Sequence, residues 1–153
     1  MENLRIFKDS QELARAAADE FVSRAEDALN ARGVFHVALS GGSTPQGLFT
    51  LLASDDTQRQ RIAWEKIHFW WSDERHVPPD HADSNFKMAN DALLSRIQIP
   101  SQNIHRVRAE NPDASQAALE YENELRAVFR VDAPAFPQFD LILLGMGNDG
   151  HTA

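Results

Sequence analysis

The sequence predicts an α/β protein in which a mostly parallel sheet is covered by helices on both faces, giving three layers. Short apolar runs, typical of strands buried on both sides, alternate along the chain with longer segments of helical periodicity. Two of these runs lead directly into glycine-rich turns. Because parallel sheets bind ligands at the carboxyl ends of their strands, the function of this Rossmann-like arrangement is expected at those turns.

The composition is that of one globular domain spanning residues 1–153, with 42% hydrophobic and 25% charged residues. A formal net charge of −8 argues against nucleic acid as a partner, and the lack of cysteine excludes disulfides and thiolate chemistry. The N-terminus does not resemble a signal peptide, and no apolar run has membrane-spanning length. A cytoplasmic monomer that does not bind membranes is therefore expected.

The first third of the chain predicts a strand, a helix and a second strand. Residues 4–7 form a short strand candidate, and Asp9 then opens a capping box before a helix with an apolar stripe. Gly33 is the expected end of that helix. Residues 34–39 follow as a buried strand, in which His36 is expected to be a packing residue rather than a ligand.

The turn Ser40-Gly41-Gly42-Ser43-Thr44-Pro45 has the features of an anion site. Pro45 suits the first turn of a helix, and Ser43 or Thr44 can cap it. The free N–H groups and the positive end of the helix dipole attract an anion. The Gly-Lys-Ser/Thr ending of a nucleotide P-loop is missing. The alternative is an ordinary strand-to-helix turn.

A third apolar run, residues 67–71, leads into Ser72-Asp73-Glu74-Arg75-His76-Val77-Pro78-Pro79. The planar donor fork of Arg75 suits phosphate, and Asp73 suits a sugar hydroxyl or the orientation of a partner group. The alternative is a surface cluster of ion pairs. His76 and His81 lack the spacing of metal ligands, so no metal is expected.

The remaining segments read as scaffold. Residues 54–61 are expected to be a loop or a frayed helix end, and residues 83–85 are expected to cap a helix that Pro100 closes. Residues 104–107 form a short strand candidate. In Asn111-Pro112-Asp113, the asparagine is expected to be the N-cap and the proline the first helical residue of the next helix.

The last fifteen residues carry the chemistry of the predicted site. Residues 139–144 are an apolar run, expected to be a strand buried on both faces, and Gly145-Met146-Gly147-Asn148-Asp149-Gly150-His151-Thr152-Ala153 follows. The glycine spacing matches a dinucleotide fingerprint, but that motif also needs a crossover helix and a later acidic residue. The other interpretation makes His151 a catalytic base on a glycine-shaped turn. A tight turn with a surface histidine is the third.

Taken together, the turns at 40–45, 72–78 and 145–153 closely resemble those of the 6-phosphogluconolactonases, in the superfamily that includes glucosamine-6-phosphate isomerase/deaminase. The likeness extends to Ser84-Asn85 and residues 103–107, and it covers essentially the whole chain. The deaminase branch typically has Asp-Glu-Tyr where this chain has Asp73-Glu74-Arg75, which favours the lactonase. The chain ends inside the family's Gly-His-Thr-Ala motif, so the C-terminal part of the family fold is expected to be missing.

The resemblance implies an enzyme that hydrolyses 6-phospho-D-glucono-1,5-lactone to 6-phosphogluconate in the oxidative pentose phosphate pathway. It implies a small sugar-phosphate lactone as the partner and no cofactor or metal. A glucosamine-6-phosphate isomerase/deaminase and a non-catalytic sugar-phosphate-binding fragment are the alternatives. The expected catalytic residues are His151 and Asp149. The expected substrate-binding residues are Gly41, Gly42, Ser43, Thr44, Asp73, Arg75, Gly147 and Gly150.

Overall fold

A computed structural model describes residues 4–152 of the chain. Five α-helices and three β-strands make up its regular structure, with short 3₁₀ turns between them. In chain order they are α1 (Ser10–Arg32), β1 (Phe35–Leu39), α2 (Ser43–Ser54), α3 (Asp56–Arg59), β2 (Ile67–Trp71), α4 (Asn85–Ala92), α5 (Ala114–Phe129) and β3 (Leu141–Ile142). The 3₁₀ turns are Trp64–Lys66, Leu94–Arg96 and Ser101–Asn103.

The three strands form one parallel sheet in the order β2-β1-β3, so β1 lies in the middle. Phe35 pairs with Ile67 at the start of β1 and Leu39 pairs with Trp71 at its end. Val37 pairs with Leu141 on the other side. Parallel strands with helical crossovers confirm the predicted α/β class.

Alternation along β1 and β2 divides the side chains between two faces of the sheet. Phe35, Val37 and Leu39 join a core with α1, α2 and α4, in which Phe21 of α1 meets Phe35 edge to face at 5.4 Å. His36 points to the opposite face, where its ring lies 4.4 Å from that of Phe129 in α5. Helices therefore cover both faces, and the predicted three-layer packing is confirmed.

The first helix is built as its sequence predicts. The Asp9 side chain accepts hydrogen bonds from the N–H groups of Gln11 and Glu12. Gly33 ends the helix in the left-handed region, with φ +75°, which a residue without a Cβ adopts at little cost.

Other local predictions were wrong. Residues 4–7 form no strand, and the side chains of Leu4 and Ile6 are exposed because no neighbouring strand pairs with them. Ile104 contributes a single bridge to Phe69 rather than a strand. The N-cap of α5 is Asp113, which places Pro112 before the helix.

The polar stretch 54–61 contains one helical turn, α3, capped by the side chain of Asp55. The sequence predicted a loop or a frayed helix end here, and neither alternative includes this separately capped turn. It packs beside α1, where the Arg61 guanidinium donates two hydrogen bonds to Glu26.

The strand predicted at residues 139–144 is shorter and less buried than its apolar sequence suggests. Only Leu141 and Ile142 are in strand conformation, and Ile142 is 51% exposed. Burial on both faces was therefore a wrong expectation. Among the described residues β3 is an edge strand, paired only with β1.

Candidate active site

The carboxyl ends of all three strands meet at one edge of the sheet. The N–H of Ser72, directly after β2, donates to Leu39 O at 2.8 Å. The N–H of Leu143, directly after β3, donates to Ala38 O at 2.9 Å. These bonds align the starts of three loops side by side, as parallel pairing requires.

The three loops enclose an open pocket of about 210 Å³. Six of the ten predicted site residues line it, together with four residues that the prediction did not include. The predicted ones are Gly41, Gly42, Asp73, Arg75, Gly147 and His151, and the others are Ser40, Leu144, Gly145 and Met146. Asp149 contacts His151, while Gly150 lies in the same turn without lining the pocket.

The Ser43 and Thr44 side chains line a different groove, between α1 and α2, where Arg15 is also found. Neither caps the helix, because Gly42 is the N-cap of α2 and no side chain bonds to the N–H groups of the first turn. Gly42 has φ +107°, which explains why a hydroxyl residue does not take its place. Pro45 lies in the first turn, as predicted.

The N-terminus of α2 still has the properties of an anion site. Its first turn contains no acidic residue, and its unbonded N–H groups lie at the positive end of the helix dipole. Gly42, at this end of the helix, lines the pocket. The backbone, rather than the hydroxyl groups of the turn, is therefore the part suited to bind an anion.

Arg75 supplies a cation at the opposite wall. Its side chain is 61% exposed, and its Nε lies 4.0 Å from Asp73 Oδ2, at the outer limit of an ion pair. Among the described residues its guanidinium donates no hydrogen bond to a protein acceptor, whereas its backbone N–H donates to Glu74 Oε1 at 2.8 Å. The guanidinium is thus available to a ligand while the backbone is fixed.

His151 and Asp149 form a pair within the glycine turn. Asp149 Oδ1 contacts both Nδ1 and the backbone N–H of His151. The bond to the His151 ring is also the main reason that the pKa of the Asp149 carboxyl lies below its ordinary value. Since an ionised carboxylate only accepts, the hydrogen of the neutral imidazole lies on Nδ1, and in that form Nε2 has a lone pair for a substrate or water.

Two N–H groups of this turn are already used inside it. Gly147 N–H donates to His151 O at 2.8 Å, and Gly150 N–H donates to Gly147 O at 2.9 Å. These two are therefore poor donors to a substrate oxygen. Within the described chain, the N–H groups of Asn148 and Asp149 have no protein acceptor and remain suitable.

The predicted site omitted several residues because they are apolar or resemble part of a helix cap. Leu144 and Met146 line the pocket although they are apolar, and their exposed fractions are 60% and 79%. Asn85 lies behind the pocket wall, but its position after Ser84 reads as helix capping. Ser84 is indeed the N-cap of α4.

Two wider features of the described residues bear on what the site can do. Residues 4–152 contain no group of three or more His, Asp or Glu side chains placed to hold a metal ion. No helix within them has the length and apolar character needed to cross a membrane.

Comparison with known proteins gives the arrangement its context. A family model described as glucosamine-6-phosphate isomerases/6-phosphogluconolactonase matches residues 8–153. Proteins named 6-phosphogluconolactonase from Synechocystis sp. and Nostoc sp. are 50% and 40% identical over 86% and 98% of this chain. The aligned regions correspond to 52% and 60% of those two proteins, so the chain spans little more than half their length.

The crystal structure of a 6-phosphogluconolactonase from Thermotoga maritima superimposes with a TM-score of 0.82 at 36% identity. The match covers 97% of this chain and 62% of that one. The fold described above is therefore shared with that protein over nearly the whole of this chain. With a family model spanning nearly all of its sequence, this chain belongs to the glucosamine-6-phosphate isomerase/6-phosphogluconolactonase family.

Proposed function

We propose that this chain carries the active site of a 6-phosphogluconolactonase, which hydrolyses 6-phospho-D-glucono-1,5-lactone to 6-phosphogluconate. One observation supports this most strongly: a single pocket is lined by a guanidinium, an anion-binding helix end and a histidine whose imidazole is paired with a carboxylate. A phosphorylated lactone needs each of these groups. The names of the relatives agree with that chemistry.

In the proposed mechanism, the N-terminus of α2 and Arg75 bind the phosphate. Asp73 faces the pocket with a half-buried carboxylate, which suits a sugar hydroxyl. This places the phosphate near the loops after β1 and β2, and the lactone ring toward His151. Phosphate binding thereby positions the carbonyl carbon next to the imidazole.

His151 Nε2 removes a proton from water as the water oxygen attacks the lactone carbonyl carbon. The carbonyl oxygen becomes an oxyanion, for which the N–H groups of Asn148 and Asp149 are the proposed donors. When the tetrahedral intermediate collapses, the bond between the carbonyl carbon and the ring oxygen breaks. The imidazolium returns its proton to that oxygen, which gives a hydroxyl group and a carboxylic acid that ionises in water.

In this mechanism Asp149 acts through the imidazole rather than on the substrate. Its contact with Nδ1 holds the tautomer that leaves Nε2 unprotonated, and it stabilises the imidazolium that forms. The proposal further includes a single-domain monomer that acts in the cytoplasm without a cofactor, and gel filtration tests the oligomeric state.

The deciding experiment compares His151→Ala with a matched control, His81→Ala. His81 is partly exposed and contacts Asp83 outside the pocket, so its loss should leave turnover unchanged. Loss of the base should reduce kcat for fresh phosphogluconolactone by about 10²–10⁴-fold while 6-phosphogluconate still binds. Equal turnover in both variants would remove His151 from the mechanism.

Two further assays on the wild-type chain address the alternatives. Ammonia release from glucosamine 6-phosphate would identify the isomerase/deaminase reaction instead. Binding of 6-phosphogluconate without any turnover would identify a non-catalytic sugar-phosphate-binding chain.

A further inference from the structure

Asn85, the first residue of α4, lies against the back of the pocket and is only 5% exposed. Its side-chain Nδ2 donates to both the backbone oxygen and the Oδ2 of Asp73, each at 3.1 Å. An aspartate whose carboxylate is held in this way points in a fixed direction. Asp73 lines the pocket, so the amide acts on the pocket through it.

The same side chain also touches the glycine turn after β1. A Cβ placed on Gly41 would lie 1.9 Å from Asn85 Oδ1 and 2.6 Å from Asn85 Cγ. Gly41 does not have a positive φ, so glycine is not needed here for the backbone conformation. Its lack of a side chain instead leaves room for the Asn85 amide. The amide therefore fills the gap between two walls of the pocket, the Gly41–Gly42 turn and the Asp73 loop.

Glu74 fixes the position from which Asn85 reaches these walls. Its Oε1 accepts hydrogen bonds from the N–H groups of Arg75 and Asn85 at 2.8 and 2.7 Å. Its Oε2 accepts from the Phe86 N–H at 2.9 Å and the Ser84 hydroxyl at 3.1 Å. A carboxylate at the N-terminus of α4 is also stabilised by the helix dipole. The loop that carries Asp73 and Arg75 is thus attached to the helix that carries Asn85.

We propose that Asn85 is a positioning residue that sets the separation between the Gly41–Gly42 turn and Asp73, and so the shape of the anion-binding half of the pocket. The inference rests on the proposed function, since it assigns that half to the substrate phosphate. The chemistry requires an amide. An aspartate would place a second carboxylate against Asp73 Oδ2, and a leucine would leave the backbone oxygen of Asp73 without this donor.

A double-mutant cycle with Gly41→Ala and Asn85→Ala tests the contact directly. Calorimetry on the full chain gives Kd for 6-phosphogluconate, and steady-state kinetics separates KM from kcat. Gly41→Ala alone should weaken binding by at least about tenfold because its methyl group collides with the amide. Asn85→Ala removes the colliding atoms, so adding Gly41→Ala to it should weaken binding by less than about threefold. The effects should fall mainly on Kd and KM.

Two further variants distinguish positioning from a general structural role. Asn85→Asp keeps the shape of the side chain, and its Kd should increase further with pH as the new carboxylate ionises against Asp73. Asn90→Ala, on the same helix but outside this pocket, should leave Kd unchanged. Circular dichroism checks that each variant is folded. If Asn85→Ala does not fold, the pH dependence of Kd in Asn85→Asp tests the positioning role instead.

Additive effects of Gly41→Ala and Asn85→Ala on Kd would overturn the inference. Asn85 variants that change the melting temperature but not Kd or KM would also overturn it, since Asn85 would then stabilise the fold without shaping the pocket. Failure of the proposed function would give a different result. The wild-type chain would bind 6-phosphogluconate, and the double-mutant cycle would show the expected coupling between Gly41 and Asn85, but the wild-type chain would not hydrolyse the lactone. A wild-type chain that binds no 6-phosphogluconate would refute both.

Discussion

Lowering the pH from 7 to 4.5 should destabilise this protein through the histidines buried between the sheet and α5. Burial, followed by the neighbouring His68, lowers the pKa of His36 from its ordinary 6.5 to about 4, against an opposing effect of Asp140. His105 and Arg32 lower it further. Burial and then His105 also lower the pKa of His68.

The contacts explain why the rings of His36 and His68 favour the neutral form. His36 Nδ1 accepts the indole N–H of Trp70 at 3.2 Å, which it does only when that nitrogen is unprotonated. His68 Nδ1 lies 2.9 Å from Nε2 of His105, whose Nδ1 lies 2.6 Å from Glu124 Oε1. A proton added to His36 therefore breaks its bond to Trp70 and places a charge 4.8 Å from the ring of His68, measured between ring centres.

The direction of the stability change follows from the pKa of His36, which is lower in the folded protein than in the unfolded chain. Between pH 6.5 and about 4 the unfolded chain binds more protons at His36 than the folded protein does, so stability is complete above 6.5 and decreases as the pH falls. The full difference corresponds to about 3 kcal/mol. Because the ring is partly open to solvent, screening reduces the expected loss to about 1–2 kcal/mol.

Urea unfolding monitored by tryptophan fluorescence at pH 7.0 and 4.5 measures this loss. The control is His36→Asn, whose side-chain oxygen can still accept the Trp70 N–H but does not titrate. The variant should lose about 1–2 kcal/mol less than the wild type across this interval. If both proteins lose the same free energy of unfolding, His36 does not carry the pH dependence and the argument from its burial is refuted.

Three further results are expected. Arg75→Ala should raise KM for phosphogluconolactone by about 10- to 100-fold because a charge-assisted bond to phosphate is lost; an equal loss for unphosphorylated gluconolactone would contradict the phosphate role. Gly147→Ala should reduce kcat by about 10- to 100-fold, since its Cβ would lie 2.4 Å from His151 Cε1, whereas Gly47→Ala, outside the pocket, meets only Ala14 Cβ at 3.9 Å and serves as the control. Tyr121→Phe should cost about 1–3 kcal/mol in urea unfolding, because the hydroxyl accepts from Trp71 N–H and donates to Trp71 O.

Local chemistry made the helices and the strands β1 and β2 predictable. Asp9 and Gly33 mark the two ends of α1 through interactions with residues two to four positions away, so the local sequence is enough to predict where this helix begins and ends. Strands need partners, and partners are distant in sequence. Residues 4–7 have a strand-like composition without a neighbour, while β3 is short because its apolar residues face no second strand among the described residues.

The same distinction applies to the pocket. Motifs that follow strands predicted which loops converge, because parallel strands direct their carboxyl ends to one edge. They did not predict which atoms face the pocket: Ser43 and Thr44 lie along α1, and Asn85 reaches Gly41 across 44 positions of sequence. Contacts of that kind depend on how α4 packs, which the capping pattern around Ser84 does not specify.

The central position of β1 is what joins the two halves of the proposed chemistry. Its last residues accept hydrogen bonds from Ser72, at the start of the Arg75 loop, and from Leu143, just before the His151 loop. Ser72 Oγ also donates to Leu143 O at 3.4 Å, which links the outer loops directly. A register shift of one residue on either side of β1 would displace one loop by about 3.3 Å along the strand. That distance exceeds the length of a hydrogen bond, so phosphate contact and proton transfer on one substrate depend on both registers being held together.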